Sequence, residues 1–265
     1  LTADERVGDL MREQIEAARA LVRIQPGRKV GGRTAEVRPS DAAEDTEHAR
    51  VGFGTDWGAL AAAWLTEWER TGEPRIRERL VTSMRTIGAQ PKGFFSSGSR
   101  MNLTTGEFDR VKSDRAAVSH LNAVFGLVEI CAELLQLIDE PSFARAWLDY
   151  CELYNAPAEE QERRLGSKLR GTSLRQAHSR LTAFAARVNG DDALAARAWS
   201  EYFEGDAHRP PLRTTRLTGP AVLTPVDEAA FVSTNATAQW GLATIECLAL
   251  VGSAGSAGKI GLQGG

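Results

Sequence analysis

The chain has 265 residues, 42% apolar and 25% charged, enough for one large core or two small ones. A formal net charge of -3 sets up no global field that would favour nucleic acid or a membrane surface, and no apolar run approaches the ~20 residues of a membrane span. The three cysteines, Cys131, Cys151 and Cys247, are odd in number and widely spaced, which argues against a disulfide framework or a metal site and predicts buried free thiols.

Taken in order, residues 3–25 read as a helix with Val7, Leu10, Met11, Ile15, Ala18 and Val22 on one stripe, stopped by Pro26-Gly27. Residues 26–47 read as a loop carrying Arg28, Lys29, Arg33 and Arg38, either a solvated basic loop or an anion-binding one. Residues 57–87 form a helical hairpin striped by Trp57, Leu60, Ala61, Trp64 and Trp68, then Leu80, Met84 and Ile87, turning at Thr71-Gly72-Glu73-Pro74. Residues 88–113 are a long loop, within which 92–112 have the composition of a short β-hairpin. A second helical hairpin spans 120–154 and turns at Asp139-Glu140-Pro141, striped by Leu121, Val124, Phe125, Val128, Cys131, Leu134 and Leu135, then by Phe143, Trp147, Tyr150 and Tyr154. Residues 158–169 read as a short outer helix. A third hairpin spans 174–203 and turns at Asn189-Gly190-Asp191-Asp192. Residues 205–230 read as another long loop, and a last helix runs from Asn235 to near Gly252.

One helical hairpin cannot bury its own apolar face, so repeated hairpins imply stacking into a solenoid or a closed ring. The expected fold is therefore all-α: an (α/α) toroid of helical hairpins over residues 1–252, with 253–265 as a flexible tail. Three full hairpins with one leading and one trailing helix make that toroid incomplete. The chain also opens on Leu1 rather than methionine, so it reads as part of a longer polypeptide. The flanks of the end helices, Val7, Met11 and Ile15 at one end and Leu242, Ile245 and Leu248 at the other, are expected to pack against other domains of that polypeptide.

In such a ring the first helices of the hairpins run parallel, and their N-termini gather at one end. Unpaired backbone N–H groups and a partial positive charge make that end suited to an anionic ligand. The polar residues at those starts are His48 with Arg50, His120 with Asn122, Arg175 with Gln176 and His178, and Asn235 with Gln239. Histidine is suited to proton transfer near neutral pH, although each one taken alone reads more readily as a packing residue. Trp57 reads as a core position or, being near a helix start, as a platform for a sugar ring. No Walker loop, dinucleotide fingerprint, H-E-x-x-H motif or nucleophile elbow is present.

The segments Asp45-Thr46-Glu47-His48, His120-Leu121-Asn122-Ala123-Val124-Phe125-Gly126-Leu127-Val128-Glu129 and Ser233-Thr234-Asn235-Ala236-Thr237-Ala238-Gln239-Trp240 resemble one family. They are similar to the α/α-toroid region of bacterial exo-acting rhamnogalacturonan lyase-like proteins, relatives of which cleave rhamnose–glucuronate linkages. The resemblance runs over residues 40–250. It implies a polysaccharide lyase that cleaves a uronic-acid-containing glycan by β-elimination, with histidine, tyrosine and arginine as carriers. On that basis the expected catalytic residues are His48, His120, His178 and Tyr150, with Tyr154 as the alternative tyrosine. The expected substrate-binding residues are Arg50, Trp57, Asn122, Arg175, Asn235 and Gln239. No resident metal or cofactor is expected, with a divalent cation such as calcium left open. The expected partner is an oligo- or polysaccharide, with no nucleic acid and no membrane. The implied location is secreted or periplasmic, although no signal peptide is seen in this chain. A glycoside hydrolase on the same scaffold and a non-catalytic helical binding domain are the alternatives.

Overall fold

The computed structural model describes residues 5–22, 47–118, 125–170, 172, 174–204, 213–231 and 234–255. Along the chain these form α1 (Glu5–Val22), β1 (His48–Gly52), α2 (Thr55–Thr71), α3 (Pro74–Gly88), β2 (Gly98–Asn102), α4 (Leu127–Leu137), α5 (Pro141–Leu153), α6 (Ala158–Leu165), α7 (Arg175–Asn189), α8 (Asp192–Glu204), β3 (Arg213–Leu217), β4 (Val226–Phe231) and α9 (Thr234–Gly255). The chain divides into two compact units, Leu1–Tyr150 with Leu165–Lys168, and Cys151–Arg164 with Leu169–Gly265.

In the first unit α2 and α3 form the expected hairpin. Gly72 ends α2 at φ +69 and returns its N–H to the Trp68 carbonyl, and Pro74 starts α3 where a missing N–H costs nothing. The apolar stripes point inward: Trp57, Ala61, Trp64 and Leu65 are buried, as are Leu80, Met84 and Ile87. An aromatic cluster fills the space beneath them. Phe94 lies 5.5 Å from Phe143, 5.2 Å from Trp147 and 5.7 Å from Tyr150, and Trp57 lies 5.4 Å from Phe143. Burying each large ring is worth about 2–3 kcal/mol, so this cluster carries much of the unit's stability. The end of α3 rests directly on the start of α5: a Cβ added at Gly88 would come within 2.5 Å of Ser142.

One expectation is extended here and two are corrected. The short hairpin expected within 92–112 is present, since Met101 bridges Phe108 antiparallel and the Asn102 N–H and Arg100 carbonyl bond to Glu107 and Asp109, but β2 also pairs antiparallel with β1, some fifty residues upstream, in the register His48↔Asn102 to Gly52↔Gly98. That pairing needs glycine: a Cβ at Gly98 would sit 2.6 Å from the Val51 carbonyl. The helix expected from residue 120 begins, within the described residues, at Leu127, and Phe125 stands exposed in the turn before it. The loop expected at 205–230 contains an antiparallel hairpin, β3 with β4, tied by Arg216 to Asp227 at 3.1 Å.

In the second unit α7, α8 and α9 pack on one another. Their seam is built from small residues, Ala183, Ala186, Ala195, Ala198, Cys247 and Val251, which let the helix backbones approach closely. Gly190 closes α7 at φ +63, and Asp191 caps α8 by accepting the N–H groups of Ala193 and Leu194 at 2.8 and 3.0 Å. Leu242, Ile245 and Leu248 on α9 and Val7 on α1 are exposed, whereas Met11 and Ile15 of the leading flank are half-buried. All three cysteines are buried free thiols.

Candidate functional site

Side chains alternate across a strand, and directly paired residues of an antiparallel ribbon share a face. Val51, Ser99 and Met101 therefore lie on the buried face of the β1–β2 ribbon. His48, Arg50, Arg100 and Asn102 share the other, with His48 opposite Asn102 and Arg50 opposite Arg100. Both arginines are exposed, and His48 and Asn102 are half-buried. Two cations on one rung, beside an imidazole and an amide on the next, form a positive face. Guanidinium groups match a carboxylate through paired N–H donors.

The turn after β2 holds this face in place. Asn102 Oδ1 accepts the backbone N–H groups of Thr104 and Thr105, both at 2.9 Å, which points Nδ2 at His48 Nε2, 3.4 Å away. Thr104 is tied on three sides. Its hydroxyl donates to Glu47 Oε2 at 2.8 Å and accepts from Arg19 of α1 at 2.6 Å, and its carbonyl accepts Arg79 Nε at 3.0 Å. Arg19 also reaches Glu47 Oε1 at 3.0 Å. The Thr104 hydrogen bond, then the Arg19 guanidinium, hold the Glu47 carboxyl below the usual carboxylate range. At the far end of β1, Asp56 Oδ2 accepts the Gly52 N–H at 3.3 Å, joining the strand to the first turn of α2.

A second polar assembly lies at the start of α7, in the other unit. Glu201 of α8 is fully enclosed. Its Oε2 accepts Thr182 Oγ1 at 2.7 Å and Asn155 Nδ2 at 2.9 Å, and its Oε1 faces Arg197 Nε at 3.0 Å and Arg175 at 3.9 Å. Burial raises the Glu201 carboxyl above its ordinary value, against the opposing pull of Thr182, Asn155, Arg197 and Arg175. Arg175 is half exposed. Asn155 fastens it from both sides, donating to the Arg175 carbonyl at 3.0 Å while its own carbonyl accepts the guanidinium at 3.2 Å. His178 donates from Nδ1 to the Leu174 carbonyl at 2.8 Å, and a carbonyl only accepts, so the ring proton is on Nδ1. Leu174 adopts φ +56, a left-handed conformation that costs a leucine about 1–2 kcal/mol. Its carbonyl also takes the His178 backbone N–H at 3.0 Å, so His178 stabilises the strained entry to α7.

Several expected site residues are placed in the interior. Trp57 has no exposed surface and donates Nε1 to Ser83 Oγ at 3.0 Å, so it belongs to the core and offers no stacking platform. Tyr150 is 1% exposed within the aromatic cluster, its ring 4.9 Å from Phe95, out of reach of a glycan. His178 is 1% exposed and stacked at 4.0 Å on Tyr154, itself enclosed, which makes the pair a support for α7 rather than a catalytic surface. Asn235 is exposed in the first turn of α9 and Gln239 half-buried one turn on. His120 and Asn122 lie outside the described residues. His48 and Arg50 share one open face, joined there by Arg100 and Asn102, which sequence reasoning missed. The alternation of Ser99-Arg100-Met101-Asn102 was the available signal, but it does not name the partner strand. Among the described residues no group of three or more His, Cys, Asp or Glu is arranged to hold a metal, and no helix is long and apolar enough to cross a membrane.

Comparison with known proteins places the chain. Residues 1–256 match the family model described as "PcRGLX-like protein C-terminal alpha/alpha toroid domain". The chain is 29% identical over 257 residues to a Bacillus subtilis (strain 168) protein named "Uncharacterized protein YetA". That match covers 95% of this chain and 28% of the relative, so the chain spans little more than a quarter of the relative's length.

Proposed function

The chain belongs to the PcRGLX-like protein C-terminal alpha/alpha toroid family, and on that premise we propose that it is the uronate-handling domain of a polysaccharide lyase acting by β-elimination. The observation that carries this reading is the open face of the β1–β2 ribbon, where Arg50 and Arg100 stand on one rung and His48 and Asn102 on the next. On this reading the two guanidinium groups hold the uronate carboxylate and disperse its charge, which makes the C5 proton more acidic. His48 takes that proton on Nε2. The C5–H electron pair becomes the C4=C5 double bond, the C4–O bond breaks, and the leaving oxygen takes a proton from solvent water, while the imidazolium returns its proton to solvent. The weak 3.4 Å contact from Asn102 is easily exchanged for the substrate. The partner is an anionic oligosaccharide.

The test is calorimetric binding of a glucuronate-containing oligosaccharide and of the same oligosaccharide with its carboxyl groups reduced to alcohols, alongside ultraviolet detection of an unsaturated product. Arg50→Ala and Arg100→Ala should each weaken binding of the acidic glycan about 10-fold or more, at the ~1.5–3 kcal/mol expected of a charge-assisted contact, and leave the reduced glycan unaffected. Equal binding of the two glycans by the unmodified chain would refute the proposal.

A further inference from the structure

We infer that Asn102 sets the tautomer of the neutral His48 ring, with its proton on Nδ1 and its lone pair on Nε2. The two ends of an asparagine amide differ chemically, and here the surroundings tell them apart. Two backbone N–H groups, from Thr104 and Thr105, converge at 2.9 Å on one end, which must be the carbonyl oxygen. The other end is then the NH2 group, a donor only, and it faces His48 Nε2 at 3.4 Å. A protonated Nε2 would set donor against donor. The ring therefore keeps its proton on Nδ1, and Nε2 carries the lone pair that a base needs.

The orientation of Asn102 is fixed from outside its own side chain. The turn that supplies its two N–H donors is closed by Gly106, whose N–H returns to the Asn102 carbonyl at 2.8 Å, and Thr104 is clamped by Glu47, Arg19 and Arg79. Charged groups of both signs lie on the elements around His48. Arg50 and Arg100 stand on the next rung and Glu47 beside the ring, with Arg19 of α1 on Glu47 and Asp56 of α2 at the far end of the strand. The amide bears on which nitrogen holds the proton, because its NH2 group is a directional donor facing Nε2. Asn102 is thus a positioning residue. Its consequence for turnover rests on the proposed lyase reading, but its effect on the ring does not.

The experiment is nitrogen-15 NMR of the 265-residue chain labelled at its 4 histidines, with His48 assigned by loss of its signals in His48→Gln. In the wild type, Nδ1 should carry the protonated shift and Nε2 the unprotonated one. Asn102→Asp still offers an oxygen to Thr104 and Thr105, so the turn persists, but the other carboxylate oxygen now accepts. The His48 proton should move to Nε2, and the ring pKa should rise by about one unit or more, as expected beside a new carboxylate. A wild-type ring with its proton on Nε2, or a tautomer unchanged by Asn102→Asp, would overturn the inference. If the tautomer behaves as stated and the acidic limb of turnover, where a base loses its proton, does not move in Asn102→Asp, the inference stands and it is the catalytic role of His48 that fails.

Discussion

Replacing Glu201 with glutamine tests whether the polar assembly at the start of α7 holds the second unit together. Two donors, Thr182 and Asn155, converge on one carboxylate oxygen, and the Arg197 guanidinium meets the other. Glutamine keeps the shape but makes one end an NH2 group. Facing Arg197, that group sets donor against donor and leaves a guanidinium without its counter-charge. Facing the other way, it opposes Asn155 Nδ2. One orientation loses the Arg197 ion pair and the other the charge-assisted hydrogen bond from Asn155, each worth about 1.5–3 kcal/mol, less the relief of no longer burying a charge, so we expect a loss of about 2 kcal/mol at neutral pH. Glu201→Ala adds a cavity and should cost about 3–4 kcal/mol. The pH dependence follows from burial, which raises the carboxyl in the folded state. A raised folded pKa means that this group's favourable contribution is complete below its unfolded value and is lost as pH rises through the folded one. The advantage of wild type over Glu201→Gln should therefore be largest in mild acid and shrink toward neutrality. Urea titrations followed by far-ultraviolet circular dichroism at several pH values measure the gap. A gap that widens with rising pH would mean that Arg197 and Arg175 outweigh burial, and glutamine within about 0.5 kcal/mol of wild type at every pH would refute the stabilising role altogether.

Two further outcomes follow from the geometry. Gly106→Ala should destabilise the first unit by about 2–4 kcal/mol in the same urea titration, because its φ of +77 disfavours a side chain and a Cβ would lie 2.3 Å from the Arg79 carbonyl; a change below about 0.5 kcal/mol would contradict that contact. The buried thiols should be silent to a thiol reagent at pH 8 in the native chain and all three should react once it is denatured, since burial raises Cys151 and pushes Cys247 up to about 11, leaving roughly one thiolate in a thousand for Cys247; a fast-reacting native thiol would show that the core is open.

The helices were readable because their causes are local. Thr71-Gly72-Glu73-Pro74 ends one helix and starts the next with residues suited to those jobs, and Asn189-Gly190-Asp191-Asp192 does the same for α7 and α8. The three- and four-residue spacing of Trp57, Ala61, Trp64, Leu80 and Met84 marks the buried faces before any fold is known. The strands were readable only in part. Residues 92–112 show turn chemistry and a short alternation and do turn back, with Met101 bridging Phe108, but β1, on the other edge of β2, lies across α2 and α3 in the sequence. Residues 205–230 are rich in proline and polar residues, which masked the β3–β4 pairing.

For the candidate site, residue type was a good guide to chemistry and a poor one to exposure. His48 and Arg50 were identified from their place before a helix, and they do lie on an open face. His178 and Tyr150 have equally suitable side chains, but they sit on helix faces turned into the protein, where the Leu174 carbonyl and the Phe94–Trp147 cluster surround them. The sequence by itself determined the helical hairpins, their turns and the burial of the cysteines, because period and capping act over a few residues. Only the tertiary structure decided which polar residues meet. Arg100 reaches Arg50, Asn102 reaches His48, and Glu201 gathers Asn155 and Thr182, through strand pairing and helix contacts between segments far apart in the chain, a distance over which local sequence pattern carries no information.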